Sequence, residues 1–201
     1  MRAIIHQVGK QWAITAVFAL AFAVLAHSPA AQAAASTTYG STLAYACYQG
    51  ARSLHGDAVL VRVCTRALED DTLSPAQRAH TLVNRGIAQI LRGRAEAALA
   101  DYAAAEGILP GLAEARVNRG LVYLRQGEHE LALSEIRSGQ AAGCLEPAPC
   151  LYALALAREL EGDLGGAFRD LQGALALDAD FAPAKQALAR FRIERRAKPA
   201  A

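Results

Sequence analysis

Four cysteines and a pair of asparagines are the residues whose type and spacing could do chemistry. Cys47, Cys64, Cys144 and Cys150 include no C-x-x-C pair, the arrangement that lowers a thiol pKa for disulfide exchange. Bridge formation is therefore the expected thiol chemistry, with three pairings open. Asn84 and Asn118 each offer a donor and an acceptor, and both stand in the string Val-Asn-Arg-Gly. His55, His80 and His129 are scattered, with no H-E-x-x-H, C-x-x-C-H or phosphate-cradling glycine loop around them. Glu128-His129-Glu130 follows Gly127 and reads as a helix start. Catalysis, metals and cofactors are accordingly not expected.

The first 33 residues read as a leader. Arg2 and Lys10 make a basic start, Trp12 to Ala26 is an unbroken apolar run, and Ala31-Gln32-Ala33 is a small-residue cleavage site. The run is shorter than the roughly 20 residues a spanning helix needs. Cleavage is expected after Ala33, with Ala35 a second candidate, leaving no integral span and a periplasmic or secreted chain. Removing Arg2 and Lys10 from the 21 Lys and Arg leaves as many cations as the 19 acids. A neutral mature chain excludes the basic domain expected of a nucleic-acid binder. In an exported chain, four cysteines suggest disulfides. A hairpin turning at Gly56 would set Cys47 level with Cys64, and Cys144–Cys150 would staple the loop between them. That is the favoured pairing.

The elements around these residues repeat. Val83-Asn84-Arg85-Gly86 returns as Val117-Asn118-Arg119-Gly120, displaced by 34 residues. Gly93, Gly127 and Gly162 follow at intervals of 34 and 35, as do Ala98, Ala132 and Ala167, and Ala105, Gly139 and Ala174. The extra residue falls near Cys144–Cys150. A period of this size marks stacked helical hairpins. A glycine inside a helix costs about 1 kcal/mol against alanine, so Gly86 and Gly120 need a packing reason. Close approach of two helices turning at Gly93 would supply one. Ser74-Pro75-Ala76-Gln77 is a capped helix start. Helix pairs are expected at 75–92 and 95–107, 112–126 and 128–141, and 149–161 and 164–176. A degenerate leading hairpin covers 41–78, with helices at 41–54 and 57–69, behind a disordered 34–40.

With these residues in place, the chain resembles the tetratricopeptide repeat family over 79–181. The first unit, 79–112, carries Gly86, Gly93, Ala98, Tyr102, Ala105 and Pro110 at the family's positions. The second, 113–147, carries Gly120, Tyr123, Gly127, Ala132 and Ile136, and has a cysteine-bearing loop where the closing proline belongs. The third, 148–181, carries Ala155, Gly162, Ala167, Leu171 and Ala174. The large aromatic of the fourth position is Leu82, Arg116 and Leu151 here. The resemblance implies an all-α, right-handed superhelical solenoid that binds proteins.

It also implies that the first helix of each unit lines a concave groove. The matching positions are His80, Val83, Asn84, Ile87, Ile90 and Leu91, then Glu114, Val117, Asn118, Leu121, Leu124 and Arg125, then Tyr152, Ala153, Leu156, Glu159 and Leu160. This face is largely apolar. Asn84 and Asn118 could hold the backbone of an extended partner segment, or could instead organise the stack. A clamp for heat-shock carboxylates is not expected: Tyr45, Val83, Val117 and Tyr152 fill the fifth positions and Ala153 replaces a needed base. Arg85 and Arg119 are expected to snorkel or to pair between repeats.

Repeat stacks need capped ends. Residues 182–201 are expected to give a capping helix to about Arg196 and a tail. Phe181, Ala187, Leu188 and Phe191 would cover the third unit, with Lys185, Arg190, Arg192, Arg195 and Arg196 in solvent. The function expected is that of an exported scaffold for a protein or peptide partner. The alternatives are a subunit of a self-associating envelope assembly and, third, a thiol-redox protein.

Overall fold

The computed structural model of the chain describes residues 3–7, 41–53 and 58–195. Its helices are α1 (Thr42–Ser53), α2 (Ala58–Leu68), α3 (Pro75–Leu91), α4 (Ala95–Ile108), α5 (Ala113–Gln126), α6 (His129–Ala142), α7 (Pro147–Glu161), α8 (Leu164–Leu177) and α9 (Ala182–Leu188). Two short strands, β1 (Ala3–Gln7) and β2 (Phe191–Arg195), pair antiparallel, Ala3 opposite Arg195 and Gln7 opposite Phe191. Consecutive helices pack as hairpins, α1 on α2, α3 on α4, α5 on α6 and α7 on α8. The first helix of each hairpin also touches the first helix of the next. Among the described residues no helix is long and apolar enough to cross a membrane.

Local chemistry sets the boundaries. Ser74 Oγ accepts from the Gln77 amide while Gln77 Oε1 accepts from the Ser74 amide, at 3.3 and 2.9 Å. Pro75, which has no amide to satisfy, opens α3. At the other end of the first helices, Gly127 and Gly162 are left-handed C-caps with φ of 80° and 78°. The next residue donates back, Glu128 N to Tyr123 O and Asp163 N to Arg158 O, at 3.0 Å each. That pattern closes a helix on a positive-φ residue and fixes the reversal into the second helix.

Each hairpin is held by a small residue facing a large one. A Cβ on Gly86 would lie 2.3 Å from the Tyr102 ring, and one on Gly120 would lie 2.6 Å from Ile136 Cγ1 and 3.1 Å from the Ala132 carbonyl oxygen. In the first hairpin the glycine therefore makes room for a ring. In the second it also lets two backbones approach. Ala155 and Leu171 hold the same phase in the third hairpin, and both are fully buried. An ion pair recurs on the same period. Arg85 meets Asp101 at 2.6 Å and Arg119 meets Glu135 at 2.7 Å, within one hairpin in each case. The third hairpin has Leu154 at the arginine phase, and Arg158 donates to Asp170 there instead, at 3.1 Å. Arg119 also reaches Glu106 of the preceding hairpin at 2.8 Å, so it pairs both within and between repeats.

The C-terminal end differs from the expected long helix. α9 stops at Leu188, and 191–195 is a strand. Phe191-Arg-Ile-Glu-Arg alternates apolar with charged residues, a period of two that suits a strand rather than a helix. Phe181, Ala184, Ala187 and Phe191 still join the buried cluster of the third hairpin, with Leu188 packed against it. Arg190 is not a solvated base: it is half-buried and donates to Glu159 at 3.0 Å. β1 belongs to the expected leader. The rest of that leader with 34–40, the Gly56 turn and the tail from 196 lie outside the described residues. Two disulfides complete the frame. Cys47–Cys64 joins α1 to α2 with both residues fully buried, and Cys144–Cys150 ties the loop after α6 to the first turn of α7.

Candidate interaction surface on the inner helices

The residues expected on the concave face divide by burial. Val83, Val117, Leu121, Leu124, Tyr152 and Leu156 are buried in the full-length chain and belong to its core clusters. Ile90 and Ala153 are buried as well. Ile87, Leu91, Glu114, Asn118, Glu159 and Leu160 are half-buried, and Arg125 is exposed. Arg125 stands at a shallow cleft between the first hairpin's turn and the end of α5, lined also by Ile90, Gly93, Ala95, Val122 and Gln126.

The two asparagines share a sequence phase but not an environment. Asn118 Nδ2 donates to the Glu114 carbonyl one turn back, at 2.8 Å. Asn84 is 7% exposed, and its Nδ2 has no hydrogen-bond partner among the described residues. A buried, unpaired amide donor costs on the order of 1–3 kcal/mol. His80 lies one turn before Asn84 on the same helical face. Burial holds its imidazole below the ordinary value, against the opposing pull of Glu114. Tyr152 sets its ring edge-on to Phe181 at 5.8 Å, and burial raises its phenol.

A second set of contacts links α1, α5 and the loop before α7. Tyr48, on α1, donates to Glu146 Oε1 at 3.1 Å, across 98 residues. Arg52 donates to the same Tyr48 oxygen and lies over its ring at 5.2 Å. The Leu145 amide donates to Glu114 Oε1 at 2.7 Å. Burial raises the Glu146 carboxyl; Arg52 and the Tyr48 hydrogen bond pull it back, while Glu114 and Asp178 push it further up. Tyr48 is pushed up to about 12, by burial first and Glu146 second. The sequence marked this loop only through its two cysteines and the extra residue of the repeat. Nothing in a local window connects Glu146 with Tyr48.

The described residues hold no group of three or more His, Cys, Asp or Glu placed to take a metal ion. The described helices form a short solenoid of stacked helix–turn–helix hairpins. No family model matches the chain, and no curated protein matches it. Among solved structures, the chain is similar to the MamA RS-1 ArsTM double mutant at 22% identity and a TM-score of 0.47, over 73% of this chain and 77% of that one. A likeness at that level carries no residue roles across.

Proposed function

We propose that this chain is an exported tetratricopeptide-type scaffold that holds an extended segment of a partner protein against its inner helices. The observation that carries this reading is the buried, unpartnered Asn84 donor on the face the repeat presents inward. The Nδ2 atom is enclosed in the isolated chain, so a partner backbone carbonyl would satisfy that donor once the side chains covering it move aside. Ile87 and Leu91, half-buried on the same helix, would take apolar side chains. The leader-like start and the two disulfides support a periplasmic or secreted setting. On this reading the protein binds and does not catalyse.

The test is affinity capture from native envelope extract with wild type beside Asn84→Ala/Asn118→Ala, both matched in helicity and melting. A partner retained by wild type and lost by the variant supports the reading. Equal capture by both moves the site to another surface.

One observation favours a second reading, in which the chain fills its own inner face and serves as a subunit of an assembly. Val83, Val117, Leu121, Leu124 and Tyr152 are all buried without a partner chain. Concentration-dependent self-association with no captured partner would select it.

A further inference from the structure

We propose that the Cys144–Cys150 bridge is a redox-operated latch that fastens the leading hairpin to the third repeat. The loop it closes carries two contacts that leave the loop entirely: Leu145 N to Glu114 Oε1 on α5, and Glu146 Oε1 to Tyr48 on α1. Three parts of the chain, far apart in sequence, meet at these two residues. The carboxylates there are engaged by the chain's own donors, which makes the cluster a fastening rather than a receptor. Held in a small ring, residues 145 and 146 present both contacts together; released, they become part of an ordinary flexible connection. Local opening of this kind depends on the interactions that hold the opening segment, not on global stability.

The two bridges are unequally open to attack. Cys47 and Cys64 are both fully buried. Cys144 is half-buried and Cys150 is 6% exposed, so an incoming thiolate meets Cys144 Sγ first. The step needs a dithiol reductant. Its thiolate bonds to Cys144 Sγ and Cys150 leaves as thiolate from the first turn of α7, where the helix N-terminus stabilises negative charge. The second thiol of the reductant then displaces Cys144. The reductant becomes a disulfide, both electrons pass to the two cysteines, and each takes up a proton. The latch itself is independent of any partner; only its consequence, a freer inner face, rests on the function proposed above.

The experiment treats oxidised full-length protein with dithiothreitol under native conditions, follows each bridge by thiol alkylation, and measures hydrogen exchange. The expected result is reduction of Cys144–Cys150 at least about tenfold faster than Cys47–Cys64. Exchange at the Leu145 amide and across 42–53 should then rise at least about tenfold, while 95–108 stays unchanged. Cys144→Ser/Cys150→Ser should reproduce the rise without reductant. In Tyr48→Phe with the bridge intact, later reduction should no longer change exchange across 42–53. Equal reduction of both bridges overturns the proposal. So does unchanged exchange after selective reduction, or a full response of 42–53 to reduction in Tyr48→Phe.

Discussion

The two junctions between the regular repeats are fastened differently, the first by ion pairs and the second by an ion pair with a covalent bridge. Between the first and second hairpins, Glu106 receives Arg116 and Arg119, and Arg119 continues to Glu135. Opposite charges alternate there, and Leu109–Leu112 closes the turn with Gly111 at a φ of 81°. Between the second and third, Arg137 pairs with Glu161, Glu146 faces Arg52 as well as the like charges of Glu114 and Asp178, and a covalent bridge holds the loop that carries it. At the first junction one half-buried chain of alternating charges spans both hairpins. At the second the ion pair is more exposed, and the loop that gains a residue is positioned by a cross-link.

The largest effect is expected at the first junction. Arg119→Ala leaves Glu106 and Glu135 without their shared guanidinium and should cost roughly 2–3 kcal/mol, read as a lower midpoint in urea. No loss would mean that the matched junction does not depend on charge. Removing the covalent fastening with Cys144→Ser/Cys150→Ser should cost about 2 kcal/mol, against about 3 for Cys47→Ser/Cys64→Ser, because the shorter loop restrains the unfolded chain less. Equal losses would erase the distinction between the two bridged regions. Tyr48→Phe removes one hydrogen bond at the second junction and should cost about 1 kcal/mol.

The smallest effect separates the junctions by pH. Burial alone would raise the Glu106 carboxyl, but the hydrogen bonds from Arg116 and Arg119 win and hold it below the ordinary value. Its contribution to stability is therefore present above the ordinary carboxylate pKa and is lost as pH falls through the folded value. Glu146 is raised, chiefly by burial. The native state holds that proton longer than the unfolded chain does. Stability is lost as pH rises from the ordinary value through the raised one. Glu146→Gln should abolish the second slope and keep the first, checked by urea midpoints at stepped pH. A pH profile identical to wild type would contradict the assignment of Glu146 as a half-buried carboxylate held above its ordinary value.

The sequence showed the hairpins because their determinants are local and periodic: the turn glycines, the Ser74–Gln77 cap, and the small-against-large pairs on one phase. It missed the strand at 191–195 because Phe181, Ala187 and Phe191 also fit a helical stripe, and the alternation of Phe191 with Ile193 is only five residues long. The ion pairs Arg85–Asp101 and Arg119–Glu135 sat on the repeat phase and could have been read from it. The inner-face positions were legible as positions but not as surface. Whether Leu121 or Tyr152 meets solvent depends on how tightly successive inner helices pack, which no window of sequence records. Asn84 and Asn118 show the same limit: one motif, two environments, separated only by where the nearest carbonyl lies.

Photo-crosslinking in the native envelope would show whether a partner lies against the inner helices. A crosslinking residue would replace Ile87 on the inner face of α3 in one protein. In another it would replace Leu131, which is 51% exposed on α6. The account predicts a discrete adduct from position 87, lost when Asn84→Ala is added, and none from position 131. Adducts from position 131 with none from position 87 would contradict it.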